Sequence, residues 1–229
     1  MPVVSLSKAA QRRGRIYVLA GCNGGGKSST GGEAFRSAGI EFFNPDVAAL
    51  HIRDANRARG VHVDPHQINS AAWHQGRRLL EQAIDQNLNF AFETTLGGAT
   101  MTALLERAVA SGIEVRVWYA GLSTPELHME RVRRRVAKGG HNIPEADIRR
   151  RYDQSRLNLV RLLPTLAELR VYDNSTEGDP DDGASPQPFL VMHWRQGRIV
   201  APKDLSATPE WAKPIAAVAI RKALTIKST

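Results

Sequence analysis

Apolar positions fall along this chain in two alternating rhythms. Short runs at 16–20, 90–92, 115–122 and 169–172 are brief, apolar on consecutive positions and rich in β-branched and aromatic residues. They read as buried strands, and so does Phe42-Phe43-Asn44, which ends at Pro45. Between them lie stretches with helical spacing, at 27–38, about 47–59, about 66–87, 99–110, from 125, and 144 to about 163. Gly39 and Gly112 stand where helix C-caps prefer glycine, and Thr124-Pro125 stands where a helix start prefers a hydroxyl followed by proline. Strands that are apolar throughout, each followed by a helix, build a parallel sheet covered on both faces. Beyond residue 176 a polar, turn-rich stretch leads to a hairpin around Gln196-Gly197 and an amphipathic tail helix near 209–224. The expected organisation is an α/β core over 1–176, with a lid at about 124–163, and a C-terminal hairpin-and-helix appendage over 177–229.

In such a sheet, ligands collect at the carboxyl ends of the strands. The polar clusters Asn44 to Asp46, Glu93-Thr94-Thr95 and Asp173-Asn174-Ser175 all fall there. Between the first strand and its helix runs Gly21-Cys22-Asn23-Gly24-Gly25-Gly26-Lys27-Ser28-Ser29, a full G-x-x-x-x-G-K-S pattern. A loop with few side chains lets successive backbone N–H groups turn toward a polyphosphate, and the following helix adds its positive N-terminal end. In this pattern Lys27 neutralises the outer phosphates and the Ser28 hydroxyl ligates Mg²⁺. Four fixed positions arise by chance in about one chain in a hundred of this length, and here the strand and helix context is also present. The bound ligand is therefore expected to be a nucleotide such as ATP, held by residues 21–29.

Composition narrows the class. With 229 residues and ordinary apolar content, one α/β domain with a full core is expected. No apolar run approaches the 18 residues of a membrane span and the start of the chain lacks a signal-like apolar region, so a cytoplasmic protein is expected. The single cysteine, Cys22, excludes an internal disulfide and a paired-cysteine zinc site. At a helix N-terminus its thiol pKa is expected to fall, which would let alkylation block the loop. The net charge is +8, and between Arg131 and Arg161 ten Lys/Arg face three acids, 10 − 3 = +7. Tyr152 is the one aromatic residue in that segment, which argues against a general nucleic-acid surface and for a local anion site. A solvated helix face and a basic docking surface remain alternative readings.

Three groups carry candidate chemistry opposite the loop. Asp46 is placed to orient an attacking hydroxyl and accept its proton, or else to cap the next helix. Glu93 follows an apolar strand where an unpaired carboxylate is costly, so it holds a metal through water, binds substrate with Thr94 and Thr95, or belongs to a helix start. On the helix from 125, Met129, Val132 and Val136 share one face and Arg131, Arg134 and Arg135 the opposite one. Clustered like charges weaken a helix unless an anion compensates, and beside a triphosphate they clamp the transferring group. The Gly139-Gly140 break allows such a segment to close as a lid. His141 lies in that loop, as a phosphate or base contact or as a structural histidine. The other histidines are scattered, and Pro65 interrupts the one helical spacing, His62 and His66.

The loop, Phe43-Asn44-Pro45-Asp46, Phe92-Glu93-Thr94-Thr95-Leu96 and the arginine segment through Gly139-Gly140-His141-Asn142-Ile143-Pro144 together resemble the zeta toxin family, more closely its compact bacterial branch. The resemblance covers about 15–175. It implies a P-loop kinase fold and ATP- and Mg²⁺-dependent phosphorylation, with the 3′-hydroxyl of UDP-N-acetylglucosamine as the acceptor in the best-known members. It also implies a toxin with an antitoxin partner. By that resemblance Asp46 matches the catalytic base, Lys27 the loop lysine, Glu93 and Thr95 substrate contacts, and Arg131 a catalytic arginine. The family's second catalytic arginine falls by spacing at His141, and Arg134 or Arg135 stands in for it. The expected site is then Lys27, Asp46, Arg131 and Arg135 for catalysis; residues 21–29, Arg134, His141 and Asn174 for the nucleotide; Asn44, Asp46, Glu93, Thr94 and Thr95 for the acceptor; and Ser28 for the metal. A kinase acting on RNA or another metabolite, and a nucleotide-binding module without turnover, are the rival readings.

Overall fold

In the computed structural model, which describes residues 13–27, 32, 35, 37, 40–176 and 188–227, the apolar runs become the strands of one sheet. These are β1 (Arg15–Ala20), β2 (Phe90–Thr94), β3 (Glu114–Gly121), β4 (Glu168–Asp173), β5 (Phe189–Arg195) and β6 (Arg198–Ala201), in the order β2-β1-β3-β4-β5-β6. The first four pair in parallel, with Val18, in register between Phe92 and Val117, fully buried. Strands β5 and β6 add on antiparallel beyond β4. The hairpin expected beyond residue 177 thus extends the same sheet.

The expected strand at Phe42 to Asn44 is reduced to one bridge, Phe43 alongside Phe92. The Phe43 N–H donates to Ala91 O, and the Glu93 N–H donates to Phe43 O. Pro45 has no N–H to continue the ladder, and helix α1 (Pro45–Ala58) begins at once. Further helices are α2 (Pro65–Asp85), α3 (Ala99–Ala110), α4 (Pro125–Ala137), α5 (Glu145–Leu162) and α6 (Lys213–Lys227). Proline takes the first position of α1, α2 and α4, after Asn44, Asp64 and Thr124, whose side chains accept from the orphan N–H groups. Lys27, Gly32, Phe35 and Ser37 are helical, in the stretch expected to leave the loop.

The principal core lies on one face of the sheet, where Leu80 of α2, Leu105 of α3, Leu159 of α5 and Ile215 of α6 meet Val18, Val117 and Val171. A smaller cluster of Leu19, Phe35 and Ala91, with Tyr17, Phe42 and Trp118 against it, covers the other face. A third cluster, Cys22, Met129, Val132 and Ile148, joins the loop after β1 to α4 and α5. Among the described residues no helix is long and apolar enough to cross a membrane.

Candidate active site

Strand β1 ends at Ala20 and the loop turns immediately. Gly21 has φ +137°, and a Cβ there would stand 2.1 Å from Ala120 O on the neighbouring strand. Gly24 has φ +78°, and a Cβ there would meet His128 O at 2.7 Å. Only glycine serves at both places, since a side chain would strain the backbone and collide with backbone oxygens. Lys27 opens the helix and is 7% exposed; its Nζ donates to Cys22 O at 3.2 Å and stands 3.5 Å from Glu93 Oε1. Glu93, at the end of β2, also accepts from Asn44 Nδ2 at 3.0 Å, so its burial is compensated by a cation and an amide. Ser28 and Ser29, expected to ligate metal and phosphate, lie outside the described residues.

Asp46 sits in the first turn of α1, and the cap of that helix is Asn44, whose Oδ1 accepts from the N–H of Asp46 at 2.8 Å. The Asp46 carboxylate is therefore spared from capping and is 66% exposed, 3.8 Å from Arg135 Nη1. Asn44, expected to touch substrate, is engaged at both ends of its amide. Thr94 and Thr95 hydroxyls accept from the N–H groups of Leu96 and Gly97, which turns the chain out of β2.

Helix α4 buries Met129 and Val132 against Cys22, which turns Arg131 and Arg135 toward the loop. A cavity of about 350 Å³ is lined by Asn23, Gly24, Gly26, Lys27, Pro45, Asp46, Glu93, Thr94, Thr95, Arg131 and Arg135. Arg134 is turned outward, paired with Glu130, and lines none of the three principal cavities. His141 lines two neighbouring cavities and not this one; its carbonyl accepts from Arg135 Nη2 at 2.8 Å. One of these, about 370 Å³, shares Asp46, Glu93, Thr94 and Thr95 with the first and adds Trp73, Gly97, Arg150 and Arg151. The other, about 910 Å³, runs from Asp46 along α1 over Leu50, Arg53 and Arg57 to Val61 and the Gly139-Gly140 turn. Asn174 is buried behind the loop with its Nδ2 donating to Gly25 O at 3.2 Å.

The expected lowering of the Cys22 pKa is corrected by burial, the largest influence, which pushes the thiol up despite Lys27. Its Sγ lies 3.6 Å from Ile148 O, on the α5 side, so it is no handle for alkylating the loop. The basic segment is also neutralised more than its own composition implies. Arg133 pairs with Glu145, Arg149 with Glu126, Arg150 with Asp147, Arg156 with Asp153 and Arg161 with Glu106. Glu106, Glu126 and Glu130 lie before the segment in the chain, so a count within it could not include them.

Two contributors escaped the sequence reading. Arg151 Nη1 donates to Asn23 Oδ1 at 2.8 Å, and His128 Nδ1 stands 2.7 Å from Asn23 O. His128 shares the buried face of α4 with Met129 and Val132, and that helical spacing was the one available signal.

The family model for zeta toxin matches residues 4–178. A curated protein of Haemophilus influenzae, described as uncharacterized, is 30% identical over 135 residues, 58% of this chain and 88% of that protein. Among solved structures, a chain of the AvrRxo1-ORF1:-ORF2 complex with ATP matches with a TM-score of 0.63 at 16% identity, over 90% of this chain. This chain spans 64% of that one's length. A chain from the PezAT chromosomal toxin–antitoxin system of Streptococcus pneumoniae matches with a TM-score of 0.55 at 14% identity, over 98% of this chain and 92% of that one. At such identities the two structures speak to the fold alone.

Proposed function

The chain belongs to the zeta toxin family, a family of P-loop kinases, and we propose that it transfers the γ-phosphoryl group of ATP to a hydroxyl of a UDP-activated amino sugar. UDP-N-acetylglucosamine at its 3′-hydroxyl, the acceptor that the resemblance implies for the best-known members, is the first candidate. The observation that carries the reading is the convergence of Lys27, Glu93, Asp46, Arg131 and Arg135 on one cavity of about 350 Å³ at the carboxyl ends of the strands. Phosphoryl transfer asks for little covalent chemistry from the protein and much positioning and charge neutralisation. That residue set supplies both.

In this reading residues 21–27 cradle the polyphosphate with backbone N–H groups. Lys27 exchanges its contacts with Cys22 O and Glu93 for the outer phosphates. Arg131 and Arg135 reach the transferring group from α4, and α4 with α5 forms the lid. Asp46 receives the acceptor hydroxyl and takes its proton; its exposure and its freedom from capping suit a group that must meet substrate. The two further cavities, which both include Asp46, take the rest of the acceptor.

A Mg²⁺ ion fits this donor set. It takes oxygen ligands, keeps several waters, and is commonly held by one or two protein groups with the phosphates. Glu93 and, beyond the described residues, Ser28 would hold it, and when bound it supplies neutralisation of phosphate charge. A toxin's role in the cytoplasm, with an antitoxin partner, is part of this proposal; the family and the toxin–antitoxin system to which the pneumococcal chain belongs support it. The test is incubation of the full chain with labelled ATP and a panel of UDP-sugars, with mass analysis. A UDP-amino-sugar product about 80 Da heavier, absent with Lys27→Ala, is expected, the increment being that of one phosphoryl group replacing the hydroxyl hydrogen. Labelled RNA with unmodified sugars would overturn the acceptor assignment.

A further inference from the structure

A phosphate loop presents successive backbone N–H groups to its anion, and this turns intervening carbonyls the other way. A carbonyl pointed into protein needs a donor, because leaving it unpaired costs the desolvation of a strong polar group. Here two such carbonyls meet side chains from distant parts of the chain. Asn23 O is 2.7 Å from His128 Nδ1, and Gly25 O accepts from Asn174 Nδ2 at 3.2 Å. Both side chains are buried, and neither lines any of the three cavities, so the carbonyls accept on the side away from the ligand.

We propose that His128 and Asn174 are positioning residues that hold the loop carbonyls outward, so that its N–H groups stand ready for a polyphosphate before one arrives. A carbonyl only accepts, so His128 must carry its proton on Nδ1. Burial above all pushes the His128 pKa down to about 4; the hydrogen bond to Asn23 O pulls it back up in part, and the charges of Lys27, Arg131 and Arg156 add to the lowering, so the ring stays neutral. The close approach of Gly24 to His128 O shows how directly α4 lies on the loop. One helix therefore grips the loop from behind with His128 and faces its ligand with Arg131 and Arg135. In this reading Asn174, expected to bind nucleotide, acts on the loop through Gly25 O. Nucleotide affinity is set partly by two residues that never touch the nucleotide.

The inference rests on the reading of the loop as an ATP site, and its test uses ATP as the probe, titrated into the full chain without acceptor. His128→Phe and Asn174→Leu keep the volume and remove the donor, and each is expected to weaken ATP binding about tenfold, the worth of one buried hydrogen bond. His128→Asn offers an amide near the Nδ1 position and is expected to bind within about threefold of wild type. His128→Gln, whose amide lies one bond farther out, should bind like His128→Phe. Wild-type affinity in His128→Phe and Asn174→Leu overturns the inference and leaves the nucleotide reading standing. If those two variants fail to fold, His128→Asn and His128→Gln decide, and equal affinities overturn it. A wild-type chain that does not bind ATP overturns both readings.

Discussion

On the nucleotide side of the cleft the loop from Gly21 leans on partners that are buried or partly buried. Gly21 lies against Ala120 O, Cys22 against Ile148, Asn23 on His128 and Arg151, and Gly25 on Asn174. On the acceptor side, helix α1 has no buried residue, and the carboxylate at its start is two-thirds exposed. The wide cavity along α1 is edged by the Gly139-Gly140 turn, and Leu50 and Val61 are exposed there. The difference follows from what each side recognises. A triphosphate is a fixed pattern of charge, best met by a rigid array of N–H groups whose ordering cost is already met in folding. An acceptor is recognised by shape and by a few polar contacts, and those can be completed when substrate and lid arrive.

The largest effect expected is on the rigid side. Lys27→Ala should lower product formation by about 10³-fold or more, comparable to losing a charged stabiliser of the transition state. Product by mass analysis near the wild-type rate would break the assignment. Asp46→Asn should come next, lowering kcat about 10²- to 10³-fold, as loss of a general base does, while ATP affinity stays within about twofold. A parallel fall in ATP affinity would mean that the two sides are not separable.

A stability measurement sharpens the rigid side further. His128 titrates ordinarily at 6.5 and at about 4 when folded. As pH falls below 6.5 the unfolded chain takes up a proton that the native chain refuses, so this contribution to stability is present above 6.5 and lost as pH falls toward 4. Between pH 7 and pH 5 the loss is about 2 kcal/mol. Urea unfolding at the two pH values should show that drop in wild type and a drop smaller by about that amount in His128→Asn. The smallest effect belongs to Arg134→Ala. Its partner Glu130 lies on the outer face, and an exposed pair of this kind contributes little, so steady-state rates should change by less than about twofold. A larger loss would bring Arg134 into the cleft on lid closure.

Much of this was legible in the chain itself. The strands, the helices that follow them and the phosphate loop rest on local rules. Apolar runs with β-branched residues extend, and glycines adopt the turns that other residues resist. The opposed faces of α4 follow from 100° per residue; of the three arginines grouped on one face, Arg131 and Arg135 line the cavity, while Arg134 pairs with Glu130 outside it. The short strand at Phe42 to Asn44 did not survive, because a helix beginning at Pro45 leaves room for only one bridge.

The tertiary structure decided the partners. No spacing shows that Asn23 O, 105 residues before His128, takes its hydrogen bond, or that Asn174 reaches Gly25 across 149 residues. Nor could the local charge count of +7 foresee that Glu106, Glu126 and Glu130 would answer arginines of that segment. The direction of the Cys22 pKa was read from a helix end and reversed by burial among α4 and α5. Local sequence specifies backbone conformation and the face each side chain takes, since those energies act within a few residues. Burial, desolvation and the choice of hydrogen-bond partner are set by what arrives from elsewhere in the chain, and only the packed fold determines that.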